Sequence, residues 1–212
     1  MALGSNYYIT IPELKGHIQA ADGAVFTDAD DKNLEFAIRA SCEWLEDWFD
    51  TTFYARTETR YFSPEHADLL YTDDLLTVTT LKTDTTGNGS FDTTWATSDY
   101  ILEPRNAQNG RKPKPYRQIR ISRNGDYAFP VFNYSTEITG TWGYCTIDNI
   151  PSGIQQFVLL MSHRLWKRKD AIFGIAGAPQ LNVQVIQARI TKDDDLMQLL
   201  QGIDRRGFYN GK

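Results

Sequence analysis

The stretch from Thr27 to Phe53, TDADDKNLEFAIRASCEWLEDWFDTTF, constrains this chain more than any other. Leu34, Ala37, Ile38, Trp44, Leu45, Trp48 and Phe49, with Ser41 as a small spacer, recur at three-then-four spacing and so predict one apolar helical stripe. Lys32, Glu35, Arg39, Glu43, Glu46 and Asp47 fall outside that stripe and are expected to face solvent or another chain. Thr27 and Asp30 have the spacing of a helix cap, and Asp28, Asp30 and Asp31 complement the positive end of the helix dipole. At about 1.5 Å per residue, such a helix is roughly 30 Å long, enough to be the spine of a small domain.

The charge along the chain is asymmetric. Residues 1–54 carry three Lys or Arg against ten Asp or Glu, whereas residues 151–212 carry nine against five. An acidic beginning and a basic end can pair within one molecule or between neighbours in an assembly. The formal net charge of −5 argues against a general nucleic-acid binder, since phosphate neutralisation requires a cationic surface. Cys42 and Cys145 are far apart and lack metal-ligand spacing, which predicts buried free thiols in a reducing compartment. No N-terminal apolar h-region and no run of eighteen apolar residues is found, so the expectation is a soluble protein made in a cytosol.

Around the long helix the chain reads as α+β. Residues 1–9 read as a short arm, and TIPE at Thr10–Glu13 marks a helix start with Pro12 just inside it. Gly16 and the Asp22–Gly23 pair keep this first helix short. From Arg56 the period changes. TETRYF, DLLYTDDLLTVTTLKTD, YRQIRIS and STEITGTWGYC are rich in Thr, Tyr, Val, Ile and Leu and predict five to seven antiparallel strands in a small sandwich or curled sheet. Helix resumes after Pro151, with Ile154, Phe157, Val158, Met161 and Leu165 on one face, and this segment is the expected partner of the long helix. FGIAGAP at Phe173–Pro179 predicts a connector and Leu181–Ile190 a strand, while Asp193, Asp194 and Asp195 cap a short helix through Leu196, Leu199, Leu200 and Ile203. The expected organisation is a helical core built from residues 1–55 and 149–212, with a β-sandwich-like region inserted over residues 56–148.

Candidate chemistry is sparse. Asp84, Thr86, Asn88, Gly89 and Asp92 approximate the offsets of a calcium loop, but Trp95 stands where a bidentate Glu is required, so a Gly-rich hairpin turn is the better reading. His17, His66 and His163 lack partners at metal or triad spacing, and HExxH, GxSxG, GxxxxGK[ST] and CxxC are absent. Asp73 and Asp74 read as turn acids. No enzyme and no cofactor is therefore expected. HRLWKRKD at His163–Asp170 is the one compact basic cluster, either complementing a helix C-terminus or reaching an acidic face of a neighbouring subunit or a phosphate backbone.

Several stretches, taken in order, resemble the head-to-tail connector (adaptor) proteins of tailed bacteriophages. They are YITIPELKGHI, DKNLEFAIRASCEWLEDWFDTTFYARTETRYF, LLTVTTLKTDTTGNGSFDTTW with SDYILEPRNA, ITGTWGY, IPSGIQQFVLLMSHRLWKRKDAIFGIAG and DDDLMQLLQGI. Asn88, where an acidic residue is more usual, and the RKPKP loop at Arg111–Pro115 depart from the pattern.

The resemblance implies a structural virion protein at the neck. It implies a ring of about twelve copies beneath the portal protein, a channel through which DNA passes without sequence-specific binding, and a docking face for the next neck or tail protein. Trp44, Leu45, Trp48, Phe49, Phe157, Met161 and Leu165 would build the ring wall. Glu43, Glu46 and Asp47 would meet Arg164, Lys167 and Arg168 of a neighbour, and Leu196, Leu199, Leu200 and Phe208 would be portal contacts, unless they serve intrachain packing. The alternative is a β-sandwich binding module for glycans, suggested by Trp95, Trp142 and the tyrosines. That reading requires the tryptophans to be exposed.

Overall fold

A computed structural model describes residues 7–109, 113–168 and 193–203. The expected strand at Leu181–Ile190, the connector at Phe173–Pro179 and Phe208 lie outside the described residues. The chain divides into two units, one formed by Met1–Asp50 with Ile150–Lys212 and the other by Thr51–Asn149.

The helical unit begins at α1 (Ile11–Asp22), whose start is fixed by a reciprocal cap. The Thr10 hydroxyl accepts from the Glu13 amide, and the Glu13 carboxylate accepts from the Thr10 amide at 2.6 Å. Gly23, at φ 68°, ends the helix in the left-handed region that suits glycine. The Thr27–Asp30 cap also forms, but it opens a single 3₁₀ turn over Asp28–Asp30, and α2 proper runs Asp31–Phe49. Phe53, expected at the end of this helix, instead lies beyond it and packs against Tyr144, both rings buried. The chain returns through α3 (Ser152–Lys167) and, further on, the short α4 (Asp194–Leu199).

α2 and α3 pack antiparallel, since Ser41 hydrogen-bonds Ser162 at 3.1 Å while Trp44 stacks on Phe157 further along. The small Ser41 and Ser162 allow close approach, and each hydroxyl is satisfied against the Ala37 carbonyl. Leu34, Ile38, Leu45 and Phe49 are buried as the periodicity requires. The stripe is rotated relative to expectation, however: Cys42 is buried, while Trp44 and Trp48 are half-buried. Both tryptophans lie at the margin of the buried arc. There they stack on each other at 5.3 Å and roof the seam toward Phe157.

The β unit contains β1 (Arg56–Phe62), β2 (Leu69–Thr83), β3 (Thr93–Thr94), β4 (Tyr100–Glu103), β5 (Tyr116–Ile121) and β6 (Thr136–Trp142). Among the described residues these make one antiparallel sheet in the order β1-β6-β2-β5-β4, with β3 paired to β2. The chain is thus α+β as its patterning predicts, with the strands in a single sheet. β2 organises this sheet. Its first half, from Leu69 to Leu75, pairs with β5, and its second half, from Leu75 to Thr83, pairs with β6 on the other edge. Register shifts in β2 accompany the change of partner. Leu70, Leu75, Leu81, Ile119, Ile138 and Trp142 form the core with Trp95 and Phe129.

Candidate assembly surfaces

The inserted unit is held by polar pairs, one of them on the buried Asp74, rather than by a reactive cluster. Asp74, 1 % exposed, accepts from the Thr51 hydroxyl at 2.6 Å and from Arg117 Nε at 2.8 Å. Its neighbour Asp73 projects to the opposite side of β2 and takes Arg60 Nη1 at 2.7 Å, while the Arg60 guanidinium lies 4.8 Å from the Trp142 ring. Asp73 and Asp74 are therefore strand residues with separate arginine partners, not the turn acids expected.

Asp84 closes its hairpin by accepting from the amides of Thr86, Gly87 and Gly89 at 2.7–2.9 Å. Burial opposes ionisation of its carboxyl, but the amides of Gly89, Thr86 and Gly87 outweigh it and hold the group below the usual carboxylate range. With both oxygens so engaged, the loop is a self-satisfied turn. Among the described residues no group of His, Cys, Asp and Glu has the arrangement to hold a metal ion. None of the described helices is long and apolar enough to cross a membrane.

Both tryptophans on which a sugar-stacking site depends are buried. Trp95 donates Nε1–H to Thr83 Oγ1 at 3.0 Å, and Trp142 donates to the Glu58 carbonyl at 3.0 Å. A ring buried on both faces offers no platform, so the glycan reading loses its main support.

The basic end of α3 is tied into its own unit. Arg164 pairs with Asp193, and Lys167 Nζ lies 2.9 Å from Asp22. His163 Nε2 lies 2.7 Å from Asp22, and its ring stands edge-on to His17 at 5.2 Å. Hydrogen bonds from Lys167, then His163, hold the Asp22 carboxyl below its ordinary range, and the Leu196 amide with Arg164 does the same for Asp193. The cluster still faces outward, since Arg164 and Lys167 have side-chain exposures of 49 % and 54 % and Arg168 is exposed. On α2, Glu43 and Asp47 are exposed, whereas Glu46 is half-buried and accepts from the Tyr8 hydroxyl at 2.5 Å.

The remaining candidates divide by burial. Leu45, Phe49, Phe157 and Met161 are buried between the helices, with Leu165 half-buried. Leu196, fully buried, and Leu200 pack within the helical unit, and Leu199 is half-buried. A surface the sequence reading did not single out is Phe36, 50 % exposed on α2 with Lys32 and Arg39 each 5.9 Å from its ring.

This architecture, a helical unit whose chain is interrupted by an antiparallel sheet and which offers polar and aromatic surfaces, defines an α+β scaffold. No family model matches the sequence, and no curated protein matches it. Solved structures share the fold. A chain in the neck of an empty gene transfer agent particle, computed with C6 symmetry, superposes with a TM-score of 0.54 at 20 % identity, over 89 % of this chain and 96 % of that one. A chain in the neck of the native particle, computed with C12 symmetry, gives 0.50 at 17 % identity over the same shares. A chain in the virion of the native particle gives 0.55 at 18 % identity, again over 89 % and 96 %.

Proposed function

We propose that this chain is a structural neck protein of a phage-like virion, a head-to-tail adaptor that forms a ring beneath the portal. The observation that carries this reading is the near-complete overlap, 89 % of this chain and 96 % of the other, with chains of particle necks computed with C6 and C12 symmetry. A ring repeats one heterologous contact until it closes, and twelve copies match the higher of those symmetries. The ring extends the DNA channel, and an overall negative chain suits a wall past which DNA slides without being held. Such a protein works by shape and charge. It breaks no bond and carries no cofactor.

In this reading α2 and α3 form the wall. Glu43 and Asp47 meet the basic end of a neighbouring α3, with Glu46 fixed behind them by Tyr8. Leu199 and Phe208 remain candidate portal contacts, and the buried Leu196 and Leu200 hold α4 in place for them. The opposite rim of the ring docks the next neck or tail protein.

The test is electron microscopy of particles from a producer strain lacking this protein. Filled or leaking heads without tails are the expected outcome, restored by the intact chain. Normal tailed particles would overturn the assignment.

A further inference from the structure

The exposed face of α2 is electrically divided. Lys32, Phe36, Arg39, Glu43 and Asp47 recur at intervals of three and four, so they share one stripe along the helix. Its first half carries Lys32 and Arg39 around the exposed Phe36, with Arg39 also 3.9 Å from Glu35 and donating to the Tyr7 hydroxyl, and its second half is anionic. From Ala40 to Asp50 the sequence holds Glu43, Glu46, Asp47 and Asp50 and no Lys or Arg.

The antiparallel packing fixes where the cations of α3 stand relative to those acids. Trp44 faces Phe157 and Ser41 faces Ser162, so Arg164, Lys167 and Arg168 lie level with the first half of α2. By the same register Asp47 lies about 9–13 residues further along, roughly 13–20 Å, and Glu43 about 5–9, roughly 8–13 Å. Beside them α3 presents Ser152, Gln155 and Gln156, which carry no charge. The acidic half of the α2 stripe and the basic end of α3 are complementary, but one molecule holds them at opposite ends of the same helix pair.

We infer that a second copy of this chain covers the exposed face of α2, displaced along the helix so that Glu43 and Asp47 of one copy meet Arg164, Lys167 and Arg168 of the next. The inference rests on the ring reading and specifies its contact. Charge complementarity selects a copy of this chain as the occupant, because the same molecule supplies both signs on surfaces that do not pair with each other internally. Phe36 supplies an apolar anchor within the covered face. Arg164 and Lys167 keep their intrachain partners and contribute their exposed sides. A displacement along the helices is compatible with closure only if the α2–α3 pair is inclined to the ring axis, since copies in a cyclic ring are related by rotation without axial translation.

The full chain bearing Asp47→Cys and Arg168→Cys is treated with a short bismaleimide and resolved by denaturing electrophoresis, while native mass spectrometry counts the copies in the untreated assembly. Within one molecule these positions lie roughly 20 Å apart along the helix axis, beyond the reach of a short linker. The comparison protein bears Asp47→Cys and Gln155→Cys, which stand at the same level. A ladder of linked multimers at least several-fold stronger for the first protein is the expected result. Oligomers linked equally or better through the second pair, or through neither, would overturn the inference and leave the ring reading standing. The absence of any oligomer would overturn both.

Discussion

Gly153 in α3 lies so close to the Leu199 carbonyl oxygen that a Cβ at position 153 would overlap it. α4 therefore rests on the bare backbone of α3, and Leu196 and Leu200 are buried as a result. Gly153→Ala is expected to displace α4 at a cost of about 1–3 kcal/mol, the range for forced overpacking. A melting temperature lowered by several degrees, with faster proteolysis within residues 193–203, would be the signature. An unchanged melt would show that α4 docks some other way.

Asp74→Ala removes the buried acceptor shared by Thr51 and Arg117. The expected loss is about 2–4 kcal/mol, large for one short side chain because two hydrogen bonds to one buried carboxylate are lost together. Chemical denaturation should register it as a lower midpoint. Asp73→Ala, whose carboxylate is more exposed, should cost clearly less.

Acid should loosen the protein at the Asp22, Asp84 and Asp193 sites. Each carboxyl is held below its unfolded value, so its contribution is fully present above the ordinary carboxylate range and is lost as pH falls through the folded value. Thermal melts should be flat from neutral pH to about 5 and fall below about 4. Asp22→Asn should flatten part of that fall. A melt independent of pH down to about 2 would contradict the assignment.

Burial pushes the thiols of Cys42 and Cys145 up to about 12. Both should be protonated and slow toward thiol reagents at pH 8, then react stoichiometrically once the chain is unfolded. A rapid native reaction would mean that one of these sites opens.

Trp44→Ala should cost about 2 kcal/mol, below the range for a fully buried tryptophan, since its ring roofs the seam instead of filling it. The same change should weaken assembly more than folding if this seam borders the ring contact. Comparing the unfolding midpoint with the oligomer population separates the two effects.

Much of the fold was legible because the local signals agree with the tertiary packing. Thr10 and Glu13 form the cap that TIPE advertises, and Leu34, Ile38, Leu45 and Phe49 bury as their spacing requires. The strand-rich stretches pair into one antiparallel sheet. Asp73 and Asp74 misled for a definite reason. Adjacent strand residues point to opposite faces, and their partners Arg60 and Arg117 stand 13 and 43 residues away, outside any local pattern. The cations at Arg164 and Lys167 were visible as a cluster, but their acids Asp193 and Asp22 lie 29 and 145 residues distant. The division of the α2 stripe was present in the sequence all along. It acquires meaning only once Trp44 and Ser41 fix the level of α3, because charge position along a bundle depends on packing register.

Arg56, opening β1, and Trp142, closing β6, are partners on adjacent strands. The long excursion through the sheet therefore starts and finishes at a single rung, where the Thr52 carbonyl also receives the Tyr144 amide. A cassette whose entry and exit lie side by side can be trimmed, enlarged or traded by evolution without re-threading the helical chain. Variation among proteins of this architecture should accordingly accumulate in the cassette's far loops, while the closing rung stays fixed with Thr51, Asp74 and Gly143, where a Cβ would overlap the Tyr54 carbonyl oxygen.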